Sequence, residues 1–408
     1  EVVQGWLHML SVVCSAASQV LLVTQGAREL ATPSTSETES RSAALGQIPR
    51  AVLMSASLVG IMRSVQQEYP RISMSVIDAD PEYDLGVALY EAISAELSRQ
   101  DGELEVAYRN SMRMTKRYSE LAGGTTGTME SEEQSCCDVG AYIITGGLGA
   151  LGLQAAKVLT QLGARNIVLL SRSGRVSYEG QGLEEDLQWL EEQQGVRVQT
   201  MRCDVSDEAS LERCLLEVRA SGSISGVVHA AGVLRDALVR GGAAAVGAGA
   251  VWSAKADAAM LLHRLTRHDP IETFVVFSSI AAAMGNPYKA AYAGANAYLD
   301  ELMTMRSHAG LPGCSSQWPA ISGIGMAANA MSAGAMGDIT DVALSPSGVA
   351  DVLRRVLSSS VSRRRPVILV SPQETFRADA PLGAQRQFAQ IIDTVQARHR
   401  RTAQSRAT

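Results

Sequence analysis

Residues 141–152 read AYIITGGLGALG, and the fold turns on this stretch. An apolar run of strand type, AYIIT, gives way to glycines and then to the helix-forming LGLQAAKVL. The glycines stand as Gly147-x-Gly149-x-x-Gly152. Between a strand and a helix this spacing is the fingerprint of a dinucleotide-binding βαβ unit. Glycines permit a tight turn and close approach of main chain to a pyrophosphate. The helix N-terminus then offers N–H groups and the positive end of its dipole to the anion. This places Thr145, Gly146, Gly147, Leu148, Gly149, Leu151 and Gly152 at a cofactor.

The pattern continues downstream as NIVLLSRSG, VRVQTMRCDV, GVVHAAG and TFVVFSS, each separated from the next by a helical stretch. Alternation of this kind implies a parallel sheet covered by helices. An NAD site usually carries Asp or Glu at the end of the second strand, to hold the ribose 2′-hydroxyl. Here that strand ends in Ser171-Arg172-Ser173-Gly174. A guanidinium and hydroxyls suit a 2′-phosphate, so the expected cofactor is NADPH. Asp204 and Val205, in CDV, fall where the adenine would lie. An N-cap role for Asp204 is the competing reading, since VSDEAS follows. In HAAGV, the small Ala230, Ala231 and Gly232 let main chain approach the nicotinamide ribose, and tight sheet–helix packing is compatible with this. His229 reads as a packed strand residue rather than an acid or base.

Upstream, helix and strand patterns also alternate: an apolar helix then QVLLVT, SLVGIMRSVQQEYP then ISMSVIDAD, and DLGVALYEAISAELSRQ then ELEVAYRN. No glycine fingerprint accompanies them. A polar, Ser- and Thr-rich surface loop occupies 31–46, and ELAGGTTGTMESEEQS (120–135) reads as a linker. Residues 1–133 are therefore expected to form one α/β unit with its linker. Residues 134–375 form a second, complete one, with a lid at about 326–345, and 376–408 a linker or tail.

The 408 residues suit two domains, and 46% hydrophobic with 19% charged is an ordinary soluble composition. Lys plus Arg number 36 against 42 Asp plus Glu, a net charge of −6 that argues against a nucleic-acid partner. No apolar run reaches the length of a membrane span, and no signal segment opens the chain. The first residue is Glu1, which reads as a piece of something longer. The cysteines (14, 136, 137, 203, 214, 314) form no metal-type pair and suit a reducing, cytoplasmic setting. No metal is expected.

The strand TFVVFSS ends at Ser279, and the helix KAAYAGANAYLDEL carries Tyr292 and Asn296 four apart on one face. A strand-end serine and a helical tyrosine can meet at the carboxyl edge of a parallel sheet. Short-chain dehydrogenases place a lysine four residues after such a tyrosine, where this chain has Asn296. Lys255, in VWSAKADAAMLLHRL, is the candidate replacement cation; a snorkelling helix lysine is the competing reading.

Together TGGLGALG, SRSG, CDV, HAAGV, Lys255, FSS, YAGAN and SSQWPAISGIGMA resemble the ketoreductase domain of modular or iterative polyketide synthases. Animal-type fatty acid synthase ketoreductases are close relatives of that family. The resemblance spans about residues 1 to 375. It implies two Rossmann-like subdomains: a truncated, structural one at the N-terminus and a complete NADPH-binding short-chain dehydrogenase fold after it. It implies reduction of a β-ketoacyl thioester on the phosphopantetheine of an acyl carrier protein, with other synthase domains as partners. In that family the lysine and asparagine of ordinary short-chain dehydrogenases exchange places, which accounts for Lys255 and Asn296. Tyr292 and Ser279 would hydrogen-bond the carbonyl oxygen, with Tyr292 giving the proton. Lys255 would lower the phenol pKa and hold ribose hydroxyls, and Asn296 would anchor Lys255 or a relay water.

Four positions bear on the family's patterns. Leu234-Arg235-Asp236 keeps the final Asp of a Leu-Asp-Asp motif that marks reductases giving the D-alcohol, the B-type. A tryptophan that marks the A-type is Lys289 here. The usual Trp-Gly reads Trp318-Pro319, and a second tryptophan is Ile321, changes expected on the nicotinamide side of the substrate pocket. The rival functions are a free-standing dehydrogenase of small alcohols and a non-catalytic scaffold within a synthase.

Overall fold

A computed structural model describes residues 1–26, 48–80, 86–99, 101–119, 140–177, 180–332, 343–357 and 366–370. The surface loop 31–46, the linker 120–135, Cys136, Cys137, the centre of the expected lid and the tail 376–408 lie outside the described residues.

Helix Val2–Ala16 precedes strand β1 (Gln19–Gln25); helix Arg50–Glu68, stopped before Pro70, leads to β2 (Ser73–Ala79); helix Val87–Ser98 leads to β3 (Glu105–Arg109). These three strands pair in parallel. The sequence pattern anticipates only parallel pairs, yet β4 (Met112–Thr115) runs antiparallel to β3. The hairpin rests on Asn110 and Ser111, with φ of 49° and 62°. Positive φ at both central residues is what a two-residue primed turn requires. Asparagine is a known occupant of that conformation, but serine gives no such signal.

The carboxyl end of this sheet is filled from within. Thr24 Oγ1 donates to Asp78 Oδ1 at 2.8 Å. Arg109 donates through Nη2 to Asp78 Oδ2 at 2.5 Å and through Nη1 to the carbonyls of Asp78 and Ala79, both at 3.1 Å. Asp78 is buried. Side chains thus occupy the edge where open α/β sheets hold ligands.

The second sheet contains β5 (Ala141–Thr145), β6 (Asn166–Ser171), β7 (Arg197–Arg202), β8 (Ile224–His229), β9 (Thr273–Ser279), β10 (Cys314–Trp318) and β11 (Val367–Leu369). They lie in the order β11-β10-β9-β8-β5-β6-β7, and every pair is parallel. The order reverses between β5 and β8, and ligands of such sheets bind in the crevice outside that point. Strand side chains alternate between faces. Ile143, Val227, Phe274 and Val276 pack under helices Ala243–Trp252 and Ala290–His308. Ile144, Val228, Val275 and Phe277 pack under helices Ala150–Gln161 and Pro346–Leu357. Among the described residues no helix is long and apolar enough to cross a membrane.

The first half touches the second where helix Arg50–Glu68 lies against helices Ile280–Met284 and Ala290–His308, and where helix Val2–Ala16 lies against helix Ala243–Trp252. The approach is set by glycines. A Cβ on Gly60 would stand 2.7 Å from both Ala293 O and Ala297 Cβ, and one on Gly294 would stand 2.7 Å from Ile61 Cγ1. Gly60→Val should therefore force the helices apart and destabilise the chain by about 2–3 kcal/mol. Chemical denaturation checks this: an unchanged midpoint would mean that the seam yields freely.

Candidate active site

The loop after β5 is shaped by two glycines. Gly146 takes φ of 63°, which turns the chain away from the strand. A Cβ on Gly152 would fall 2.3 Å from Gly146 O and 2.8 Å from Gly147 Cα, so the helix packs directly on the turn. Gly149 caps helix Ala150–Gln161 without a side chain, leaving the first-turn N–H groups to whatever binds there. Of the side chains expected at the cofactor, Leu148 and Val205 are core residues and Leu151 packs at the core's edge. Their share of any binding falls to main chain. The Thr145 hydroxyl is likewise engaged inside the protein: it donates to His229 Nδ1 at 2.7 Å and accepts from Ala231 N at 3.3 Å.

Ser171 closes β6, and Arg172 and Ser173 follow it exposed. Asp204 is not a helix cap: Asp207 caps helix Glu208–Ser221, accepting from Ser210 N at 2.8 Å. Asp204 instead accepts from the hydroxyl of Ser206 at 2.7 Å and from its N–H at 3.0 Å. The Ser206 hydroxyl first, and more weakly the Arg172 charge, hold its carboxyl below the usual range. Strand register adds a residue that sequence reading missed. Arg202 pairs with Ser171, and its side chain lies 3.1 Å from where a Cβ of Gly174 would be. Only the register, invisible in one sequence, sets this second guanidinium beside the Arg172 loop.

Lys255 lies in a π-helical turn, Ser253–Asp257, between helices Ala243–Trp252 and Ala258–Leu265. Such turns recur at functional sites because they re-aim a side chain within a helix. His229 holds the turn: its Nε2 meets Lys255 O at 3.1 Å while Nδ1 takes the Thr145 hydroxyl. Burial, and then the Lys255 charge, push the imidazole down to about 3. The ring is neutral at ordinary pH, with Nε2–H donating to the carbonyl. Lys255 itself is 3% exposed, and its ammonium donates to Phe277 O at 2.8 Å. Burial pushes its pKa down to about 7, against the pull of the Asp300 carboxylate. A Cβ on Gly232 would lie 3.0 Å from Lys255 Cε, so this glycine makes room for the lysine.

The Lys255 ammonium lies 5.3 Å from the centre of the Tyr292 ring. Ser279, at the end of β9, caps the short helix Ile280–Met284, its hydroxyl accepting from Ala281 N at 3.2 Å. Phe277 O, which holds Lys255, is two residues earlier on the same strand. Tyr292 differs from expectation: its pKa is pushed up to about 12 rather than down. Burial is the chief cause and the Asp236 charge adds to it. Hydrogen bonding from Asn296 and Ser279 opposes both. Asn296 donates through Nδ2 to Tyr292 O at 2.9 Å, while Phe277 O, not Asn296, holds the lysine. The buried Oδ1 of Asn296 meets no partner among the described residues.

Lys289, at the N-terminus of the Tyr292 helix, forms an ion pair with Asp236. Trp318 does not line this region. It is 3% exposed, donates through Nε1 to Ser316 Oγ at 2.8 Å, and meets Phe277 edge-on at 5.5 Å. Alternation along β10 sends the ring to the sheet face opposite Tyr292, which corrects the expectation that it touches substrate. The expected lid begins in helix Gly325–Ser332, whose Gly325 N donates to Gln181 Oε1 at 2.6 Å. Its two ends are joined by a parallel bridge between Ile321 and Leu344. Among the described residues no cluster of three metal-binding side chains exists.

Residues 140–323 match the sequence profile of the KR domain family. The chain is 33% identical over 285 residues to a 6-methylsalicylic acid synthase of Arthrobotrys oligospora, covering 68% of this chain and 16% of that protein. It is 30% identical over 318 residues to the polyketide synthase GfsA of Streptomyces halstedii, covering 78% of this chain and 4% of that one. The chain thus spans a small part of the length of these relatives. Among solved structures, the first ketoreductase of the tylosin PKS is similar with a TM-score of 0.71 at 27% identity, covering 97% of this chain and 80% of that one. An A1-type ketoreductase shares the fold with a TM-score of 0.75 at 24% identity, covering 95% and 77%.

Proposed function

We propose that this chain, which belongs to the ketoreductase domains of polyketide synthases within the short-chain dehydrogenase/reductase superfamily, reduces the β-keto group of an acyl thioester. The acyl chain is carried on the phosphopantetheine of an acyl carrier protein, and the product is the β-hydroxyacyl thioester. The setting is a cytoplasmic synthase whose other domains are its partners. The observation that carries this reading is the approach of Lys255, Ser279 and Tyr292 at the carboxyl ends of β8 and β9, beside the glycine turn after β5.

The glycine turn fits a dinucleotide, because side chains on Gly146, Gly147 or Gly152 would collide with the protein's own main chain and open the tight strand–turn–helix that brings main chain close to a pyrophosphate. The main chain of 145–149, the loop Ser171–Ser173 and the segment Ala230–Gly232 would hold it, and Lys255 would take the ribose hydroxyls. NADPH, when bound, supplies a hydride to the ketone carbon. Tyr292 donates its phenolic proton to the ketone oxygen as negative charge develops there. Ser279 donates a hydrogen bond to the same oxygen. Lys255, as the ammonium, stabilises the phenolate left behind. Asn296 Oδ1 is free to take the water that reloads the phenol.

Oxidation of NADPH by the chain with a β-ketoacyl N-acetylcysteamine thioester tests the assignment. Absence of thioester-dependent oxidation would favour the scaffold reading, and oxidation with simple alcohols or ketones alone would favour the free-standing one. Arg172→Ala should cut the preference for NADPH over NADH by about 10–100-fold, the worth of a charge-assisted phosphate contact. An unchanged preference would leave the 2′-phosphate to another group. With Asp236 present and no tryptophan at 289, the product is assigned the D-configuration; an L-alcohol on chiral analysis overturns that.

A further inference from the structure

Four residues of helix Arg50–Glu68 grip alternate residues of the segment leading into the Tyr292 helix. Arg63 Nη1 donates to Ala282 O. Gln67 Nε2 donates to Met284 O at 2.6 Å. Ser64 Oγ accepts from Asn286 N at 3.1 Å. Glu68 Oε1 accepts from Tyr288 N at 3.1 Å. The second oxygen of Glu68 accepts from Val239 N at 2.8 Å. One carboxylate therefore joins the segment after β8 to the segment before the Tyr292 helix. The two meet again where Ala237 N donates to Tyr288 O at 2.8 Å.

Tyr288 needs such a hold. Its φ is 68°, a region that a bulky L-residue seldom enters. Its side chain is 53% exposed, so burial of the ring does not fix it. Strain of this kind persists only where the surroundings over-determine it. Here both peptide groups are tied, the N–H by Glu68 and the carbonyl by Ala237. Glu68 is moreover the last residue of its helix, where the dipole disfavours a carboxylate. The next residue after Tyr288 is Lys289, whose ion pair with Asp236 joins the same two segments.

We propose that Glu68 is a positioning residue of the active site: from the first half of the chain it holds Tyr288 in the left-handed conformation and so sets the Lys289–Asp236 pair beside Tyr292. The kinetic part of its test rests on the ketoreductase reading; the exchange part does not.

The full chain is compared with its Glu68→Ala variant by amide hydrogen exchange and by thioester reduction. The amides of Val239 and Tyr288 should lose about tenfold protection, and KM for the thioester should rise about tenfold, as expected for the loss of two charge-assisted bonds. The enantiomeric ratio of the product should fall while the Kd for NADPH holds. Tyr288→Gly in the Glu68→Ala background should recover most of the KM, since glycine takes positive φ without strain. A purely structural role would lower Tm and the protection of these amides but leave KM and the enantiomeric ratio in place. If Glu68→Ala fails to fold, Glu68→Gln, which keeps one acceptor, should show the same changes at smaller size. Should wild type reduce the thioester while the variant keeps KM and enantiomeric ratio, the proposal is overturned. Should wild type reduce nothing, the ketoreductase reading falls, and exchange alone decides: unchanged protection at Val239 and Tyr288 overturns the role of Glu68.

Discussion

Tyr292→Phe lowers kcat by about a thousandfold, the range of a lost general acid, and leaves the affinity for NADPH nearly as it was. The two outcomes separate because the hydroxyl is the only group removed. The ring keeps its place on the helix and its contact with the Lys255 ammonium, 5.3 Å from the ring centre. In the direction of reduction the phenol must arrive protonated. With its pKa pushed up to about 12, chiefly by burial, it does so throughout the neutral range. Raising the pKa of an acid keeps it neutral to higher pH, so loss of this proton before reaction does not limit the rate as pH rises from neutrality. Single-turnover oxidation of NADPH and a binding titration measure the two quantities separately. A variant that retains a tenth or more of wild-type kcat would remove the phenol from the chemistry.

Lys255→Met abolishes turnover and, at the same time, raises the melting temperature. The lysine pKa drops from 10.5 to about 7, which at about 1.4 kcal/mol per unit disfavours the buried ammonium by roughly 5 kcal/mol. Losing the bond to Phe277 O returns about 1–3 kcal/mol of that. The net gain is on the order of 2–4 kcal/mol, several degrees in Tm. The sign follows from proton binding. Between about pH 7 and pH 10 the unfolded chain holds a proton on this amine that the folded chain has released, so wild-type stability rises with pH across that window. Below it both states are protonated and the cost is at its full size. The advantage of Lys255→Met is therefore greatest at pH 6 and shrinks toward pH 10, as thermal melts over that range would show. A melting temperature below wild type at pH 6 would mean that the ammonium is well solvated.

The local signals in the chain were enough for the strand–helix alternation and the glycine turn, because both act within a dozen residues. The hairpin at Asn110–Ser111 escaped notice because only one of its two left-handed residues is of a type that announces the turn. Within the candidate site, Tyr292, Ser279 and Lys255 are legible as motifs. What holds them came from long-range register and burial. Phe277 O reaches Lys255 only because β8 and β9 pair in parallel, and Arg202 reaches the Arg172 loop only through its pairing with Ser171. The phenol pKa is hidden for the same reason: the sequence puts a cation within reach but does not show the burial that raises it. Trp318 shows the limit of motif reading, since one residue of strand parity separates a pocket wall from a core.

The Gly60–Gly294 seam bears on how such chains can be recombined. The helix that presents Tyr292 is a party wall, with its outer side finished by a neighbour built from the first hundred residues. Transplanting the second half without the first would replace a matched surface by an unmatched one. Exchange boundaries are best drawn so that helix Arg50–Glu68 and helix Ala290–His308, both tenants of that wall, move house together.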